Sequence, residues 1–578
     1  TKEEIILLYL NTVPFGENTF GIKSAAQHFF NKEPSALKTE EAALLVGMLK
    51  ATSSYNPRRN PEAAKERRNI VLSQMTRYGY LEEEIMDSLM QIDVNLQYVT
   101  STHANGIAPY FREFLRRELK EWCNSHFREN GEAWDLYTDG LRVYTSLDSR
   151  IQEYAEKAVR KHMARLQRDF NQHWRNSNIW KGKENLIDRY ALQAAGNDRE
   201  QLKMKKERGI QEVRVFSWEG DSLRSFGFMD SLKHQLSFLQ VGFVVMENSN
   251  ARIKAWVGGI DFNYFKYDHV LSFRQAGSAF KSLVYLAALE QGMKPCDLFP
   301  DDSIVYEDYD DWSPRNADRE YKGYYSMKGA LGHSVNTVSV NILMETGIEN
   351  VLETVRRAGI LRDLPAVPSL ALGTAEVSLL ELVSSYQGIA NGGVRHQPEY
   401  ILRIEDRHGN VLYQASDVGE GSRITEKLNA ELITGMLKNA VETGTSRSLV
   451  NHFGFSSDMA GKTGTTQNHS DGWFIGFTPE YTAGVWVGGE LPHIAFRNIS
   501  YGQGAYTALP VWAYFFQEMY GDKRFASLQK QSFNFSEEAI RQLDCDDYYE
   551  SKPFRIFKQD PVKFFRELFR KKRPGKRR

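Results

Sequence analysis

The stretch VGFVVMENSNARIKAWVGG, residues 241–259, constrains the fold more than any other part of the chain. Two apolar, strand-like runs flank an Asn/Ser turn, which predicts a β-hairpin closing on Gly258 and Gly259. Beyond it, strands such as YTAGVWVGG alternate with helices such as SLLELVSSYQGIANGG as far as residue 530. A single α+β domain over residues 226–530 fits this alternation better than several small ones.

The flanking regions read differently. Residues 1–85 are helical in character, with helices expected at 2–11, 22–30, 39–50 and 61–79; Ile5, Ile6, Tyr9 and Leu10 form an apolar stripe on the first. Residues 86–150 read as a connector that ends in a strand and a long helix. Residues 151–225, rich in stretches such as KGKENLIDRY, read as a polar insertion or accessory region. Residues 531–578 read as a basic tail whose FKQDPVKFFRELFRKKRPGKRR is amphipathic, a solvated terminus or a contact for anionic lipid or polymer.

Charge narrows the function classes. With 73 Lys+Arg against 74 Asp+Glu in 578 residues, the chain is neither a basic nucleic-acid binder nor an acidic disordered protein. Cys123, Cys296 and Cys545 are too few and too scattered for a disulfide-dense scaffold or a four-cysteine zinc site, and they leave the compartment open. Thirteen histidines contain no H-E-x-x-H spacing, so no metal is expected. No run reaches the roughly 18 apolar residues that span a bilayer, and TKEEIILLYLN is not a signal peptide. The chain reads as a mature form or a piece of a longer one.

Three short motifs carry chemistry. In RQAGSAFKSLVYLAALEQG, Ser278 and Lys281 stand three apart and share one helix face. A serine hydroxyl is inert near neutral pH until a base takes its proton, and a lysine held among apolar residues is pushed toward the neutral form that does so. Ser-x-x-Lys alone is weak, since chance supplies it about two or three times in such a chain. Ser334 and Asn336 in GHSVN pair a hydroxyl that relays a proton with an amide that holds a carbonyl, although capping alone explains a serine there. Lys462, Thr463, Gly464 and Thr465 form a KTG motif expected by chance only about 0.1 times. Lys462 offers positive charge for a carboxylate or against a neighbouring lysine's proton, Gly464 clears space for a peptide along the strand, and the threonines add donors. The N–H groups of Thr465 and Ser278 suit an oxyanion hole.

In this order the motifs resemble those of serine penicillin-binding proteins. The chain resembles the class A, bifunctional type along nearly its whole length, through GGIDFNYFKYDHVLSFRQAGSAFK, SPRNADREYKGYYSMKGALGHSVN and ALGTAEVSLLELVSSYQGIANGG. The resemblance implies an antiparallel sheet flanked by helices, with the site between the sheet edge and a helical subdomain. It implies acyl transfer at Ser278 with Lys281 as base, Ser334 and Asn336 as the second motif, and Lys462 to Thr465 recognising the substrate carboxylate. Substrates would be peptidoglycan stem peptides and glycan strands, β-lactams would acylate Ser278, and envelope assembly proteins are candidate partners; nucleic acid is not. No cofactor is implied for transpeptidation. Ala276 and Ser282 stand where the family usually has Pro, and the loss of Pro before Gly277 is expected to alter rate by loosening the approach to Ser278.

The opening residues resemble the C-terminal part of the family's glycosyltransferase domain, with Asn11, Arg67 and Arg68 matching its motifs and Leu7 replacing a usual Glu. The catalytic glutamates and membrane anchor of that family belong upstream of Thr1, so this chain is expected to lack glycosyltransferase activity; in a longer protein a divalent metal would serve that step. The implied location is the periplasmic side of the bacterial inner membrane. With its partners upstream, this region is expected to leave Leu44, Leu45 and Leu49 uncovered and to be unstable. Among competing classes, a D-alanyl carboxypeptidase differs in acceptor, a β-lactamase needs a deacylating base, and a non-catalytic penicillin sensor would acylate without forming product. His333 and His469 are expected to line the cleft, and Trp473, Phe474 and Phe477 to be core.

Overall fold

The computed structural model describes residues 1–17, 19–97, 106–416 and 421–550, in two compact units, Thr1–Pro109 and Tyr110–Arg578. The basic segment 551–578 lies outside the described residues.

The second unit is organised by five antiparallel strands, β1 (Leu239–Glu247), β2 (Ile253–Val257), β3 (Ala460–Thr465), β4 (Asp471–Phe477) and β5 (Tyr481–Gly489), in the order β3-β4-β5-β1-β2. The expected hairpin is β1–β2, with Phe243 opposite Val257 and a register shift after Val245. The β5–β1 pairing brings together segments far apart in sequence, from Tyr481 opposite Glu247 to Gly489 opposite Leu239. Nearly every residue of β1, β4 and β5 is buried, because helices cover both faces.

One cover is the helix Ser149–Trp174, started by Asp148, whose carboxylate accepts from the N–H groups of Arg150 (2.9 Å) and Ile151 (3.3 Å). Its Ile151, Ala155, Val159, Met163, Leu166 and Phe170 fall on one stripe and join Val241, Phe243, Val245, Trp512 and Phe515 in a single core. Gln152 offers its amide to Trp256 on edge strand β2, donating to the carbonyl at 2.9 Å and accepting from the N–H at 2.7 Å. This corrects the reading of 151–225 as a polar accessory region, since its first 24 residues belong to a helix whose inner face is central core. Charge on the outer helix face masked the apolar stripe on the inner one. Only the remainder lies at the surface, as the short helices Glu184–Ala194 and Arg199–Glu207 and the largely exposed hairpin of Gln211–Val215 with Ser222–Phe226.

The connector reading of 86–150 is corrected in the same way. Met86, Leu89 and Met90 pack on Ala43, Val71 and Leu72 within the first unit, whereas Phe114 of the helix Pro109–Ser125 stacks on Trp256 at 4.8 Å. The tail reading of 531–578 fails for residues 536–549. Ser536 donates through its backbone N–H to Glu431 at 2.9 Å, and the helix Glu537–Leu543 follows. Cys545 is disulfide-bonded to Cys296, and Tyr548–Tyr549 adds a strand to the small sheet of Leu298–Pro300 and Tyr324–Ser326. No spacing rule links cysteines 249 residues apart, so this bridge went unread.

In the first unit Leu44 and Leu45 are buried against Phe15, Phe29, Phe30 and Met48, with Leu49 packed beside them. The expectation that these leucines lack partners is therefore wrong; the helices around them supply a core of their own. A run of exposed apolar side chains is instead Ile5, Ile6, Leu7, Leu8 and Tyr9 of the helix Lys2–Thr12, of which no residue is buried.

Candidate active site

The chain enters the site through Arg274–Gln275, turns at Ala276 and Gly277, and passes through a 3-10 turn bearing Ser278 into the helix Lys281–Glu290. Gly277 has φ +53°, and a Cβ there would stand 2.6 Å from the Thr465 carbonyl oxygen on β3. Gly464 is likewise required by crowding, since a Cβ would meet the Ala276 carbonyl at 2.6 Å and Ala279 at 3.1 Å. Its missing side chain makes room for the turn that carries Ser278, a different service from clearing the peptide's path. Ala276 has φ −70°, inside the proline range, and its N–H donates to the Ala375 carbonyl at 3.1 Å, a bond proline lacks. Ser282 shares its hydroxyl with Tyr386 at 2.6 Å, while the Tyr386 hydroxyl donates to the Ala279 carbonyl at 2.7 Å. Both departures from proline thus come with hydrogen bonds that hold the turn rather than loosen it.

Lys281 is fully buried and donates to the Ser334 carbonyl (2.8 Å), the Ser334 hydroxyl (3.3 Å) and Asn336 Oδ1 (2.8 Å). Burial first, and then the charge of Lys462, lower its pKa well below the ordinary lysine value. Burial also brings Lys462 down to about 7. Lys462 donates to the Thr463 carbonyl at 3.0 Å and does not line the cleft, whereas Thr463 and Thr465 do. The Thr463 hydroxyl donates to that of Thr445 at 2.8 Å, and the Thr465 hydroxyl accepts from the Gly504 N–H at 3.0 Å.

Ser334 ends the helix Met327–His333 in the left-handed region, φ +61°, one residue before the cap of the next helix, so it is not an N-cap. A non-glycine residue there is strained and needs support. Part comes from Asn316, whose Oδ1 accepts from the Asn336 N–H at 3.0 Å and the Thr337 N–H at 3.3 Å while its Nδ2 donates to Asp301 at 2.7 Å. Part comes from Asp547, whose carboxylate takes bonds from Asn439 (3.0 Å), Thr443 (2.9 Å) and His333 (3.2 Å). Burial pushes the Asp547 pKa up, but these bonds and the nearby Lys328 outweigh it and hold the group at about 2. Sequence reasoning missed Asp301, Asn316 and Asp547; Asn316 lies inside the quoted SPRNADR, but Asp547 had no local signal.

The result is a cleft of about 700 Å³ lined by Ser278, Ser334, Asn336, Thr463 and Thr465, with His333 and His469 on its rim. Trp473, Phe474 and Phe477 lie behind it as core. A nucleophile candidate, a hydroxyl, an amide and two threonines thus converge on one space, with the buried lysine bonded to the hydroxyl and the amide from behind, an arrangement suited to acyl transfer.

The glycosyltransferase-type residues lie in the first unit. Asn11 is exposed, Arg67 lies 6.0 Å from the ring of Tyr55, and Arg68 is buried, donating to Asn69 at 2.9 Å and the Met90 carbonyl at 3.2 Å. Among the described residues no three His, Cys, Asp or Glu side chains gather to hold a metal ion. The described residues thus offer no donor set of their own for a divalent metal, which is expected only in a longer protein, and no step is routed through one.

Comparison with known proteins agrees with this geometry. Residues 1–76 match the Transglycosylase family model, and residues 241–502 match the Penicillin binding protein transpeptidase domain. Penicillin-binding protein 1A of Aquifex aeolicus is 31% identical over 88% of this chain and 70% of its own, and that of Pseudomonas aeruginosa is 30% identical over 89% and 72%. The chain belongs to the class A penicillin-binding proteins, enzymes of peptidoglycan synthesis. In fold it matches penicillin-binding protein 1A of Haemophilus influenzae, TM-score 0.65, 23% identity, covering 92% of this chain and 87% of that one. It also matches PonA1 of Mycobacterium tuberculosis in complex with penicillin V, TM-score 0.52, 21% identity, covering 75% and 96%.

Proposed function

We propose that the chain is a serine-type D,D-transpeptidase that cross-links peptidoglycan stem peptides through a Ser278 acyl-enzyme. The supporting observation is the buried Lys281, biased toward its neutral amine and tied to Ser334 and Asn336. Lys281 takes the Ser278 proton as Oγ attacks the carbonyl carbon of the penultimate D-alanine. The C–N bond breaks, and the departing D-alanine amine receives that proton through the Ser334 hydroxyl. An acceptor amine then attacks the ester and loses its proton to Lys281, the ester C–O bond breaks, and Lys281 returns that proton to Ser278 Oγ. The N–H groups of Ser278 and Thr465 stabilise the oxyanion in both steps, Thr463 and Thr465 hold the terminal carboxylate, and Asn336 orients the donor peptide. None of these steps calls for a cofactor. Benzylpenicillin takes the donor's place and leaves a stable ester.

The location we assign is outside the cytoplasm, on the periplasmic side of the inner membrane. The Cys296–Cys545 bridge supports it, because such disulfides persist in oxidising compartments. Among the described residues no helix is long and apolar enough to cross a membrane. Intact-mass measurement after incubation with benzylpenicillin tests the proposal. One adduct on the parent and none on Ser278→Ala is expected; a folded parent without an adduct overturns it.

A further inference from the structure

The cleft carries a charge pattern that the acyl-transfer machinery does not use. On the side of the second motif, the loop Ser313–Arg319 presents two exposed guanidiniums, Arg315 and Arg319, to the same space as Ser278. Neither has an ion-pair or hydrogen-bond partner for its side chain among the described residues, and no Asp or Glu lines the cleft among those residues. Three acids of this region are engaged elsewhere: Asp318 and Glu320 pair with Lys322 at 3.9 and 3.1 Å, and Asp301 accepts from Asn316.

The loop is not loose. The Arg315 carbonyl accepts from Asn336 Nδ2 at 2.9 Å, the Arg319 N–H donates to the Asn316 carbonyl at 3.0 Å, and Asn316 Nδ2 donates to the Glu320 carbonyl at 2.9 Å. Arg319 adopts φ +62°, a conformation an arginine holds only when its surroundings enforce it. Two guanidiniums without an ion-pair partner, carried on a loop whose backbone is tied to Asn336 through Arg315, create a positive field inside a concave site, and their planar forks match carboxylates. The terminal carboxylate is served by the opposite wall at Thr463 and Thr465, so a different carboxylate belongs here.

We propose that Arg315 and Arg319 form a second anion subsite, selecting stem peptides that bear a free carboxylate besides the terminal one. The proposal rests on the transpeptidase reading and adds a substrate class to it. The test uses Ser278→Ala, which binds without turnover, and two synthetic peptides ending in D-Ala-D-Ala: one with a free side-chain carboxylate at its third residue, the other with the corresponding amide. Calorimetry is expected to show the carboxylate form bound about tenfold more tightly at low salt, with the gap shrinking at about 0.5 M salt. Arg315→Gln with Arg319→Gln is expected to abolish the gap, and the paired Lys substitutions to restore part of it.

Equal binding of the two peptides, no measurable binding of either, a gap insensitive to salt, or a gap that persists in the Gln pair overturns the proposal. Thermal unfolding checks the fold of the pair; should it unfold, Arg319→Gln alone, at the exposed end of the loop, carries the test. The penicillin adduct on the Ser278-intact chain separates the two readings, because a chain with the gap but no adduct keeps the subsite and loses the acyl-enzyme.

Discussion

The two walls of the cleft are made by different means. The β3 wall belongs to a sheet whose neighbours β4 and β5 are buried along their lengths, so Thr463 and Thr465 are placed by a continuous backbone ladder. The opposite wall is assembled from separate segments, the loop at Asn316, the helix end at Ser334, the helix bearing Asn439 and the strand approach at Asp547, joined by side-chain hydrogen bonds. A ladder spreads its stability over many bonds, whereas a side-chain network fails when one member is removed. The difference teaches where single substitutions should matter.

The largest effect is expected where the walls share the base. Lys281→Ala should lower the second-order rate of benzylpenicillin acylation at least about 1,000-fold, read by quenched mass spectrometry. Next comes Gly277→Ala, which places a methyl against β3 at a positive φ and should lower the same rate about 100-fold. Asp547→Ala should then cost about tenfold, by releasing His333 and with it the strained Ser334. Since Asp547 titrates at about 2, below the ordinary carboxylate value, its contribution is present above that ordinary value and lost only as pH falls through 2. The Asp547→Ala deficit should therefore persist throughout about pH 5 to 8, and a deficit that disappears within that range would count against the network account.

A smaller effect is expected on the ladder wall, where Thr445→Ala removes the 2.8 Å bond to Thr463 but should change acylation by no more than about threefold. If Thr445→Ala proved as damaging as Asp547→Ala, the contrast between the walls would collapse. The pH profile sharpens it further. Protonated Lys281 cannot act as base, so acylation should fall on the acid side, and the positive charge of Lys462 helps keep that limb low. Lys462→Met removes that charge, and the acid limb should move to higher pH.

The same contrast explains what was legible beforehand. The β1–β2 hairpin, the three motifs and the apolar runs of β4 and β5 are local patterns, with strand period and fixed spacing visible within a few residues. The support for Ser334 is not local, because Asp547 lies more than two hundred residues from His333 and its neighbourhood reads as tail. A long helix was legible at the start of Ser149–Trp174, but its place in the core was not, because its exposed face is charged enough to dominate its composition although its Ile151 to Phe170 stripe closes the core. The proline replacements were visible, yet the compensating bonds from Ala276 to Ala375 and from Ser282 to Tyr386 join segments about a hundred residues apart.

The Cys296–Cys545 bridge gives the chain a direction in time. It closes a covalent ring that encloses both the second motif and the KTG strand, while the nucleophile stands just outside. During synthesis Ser278 and Lys281 emerge long before Asp547 and Cys545, so the strained Ser334 receives its last supports only after nearly all the described chain has been made. Sealing the ring then requires an oxidant. A polypeptide in a reducing compartment would carry every motif without the covalent ring that encloses two of them.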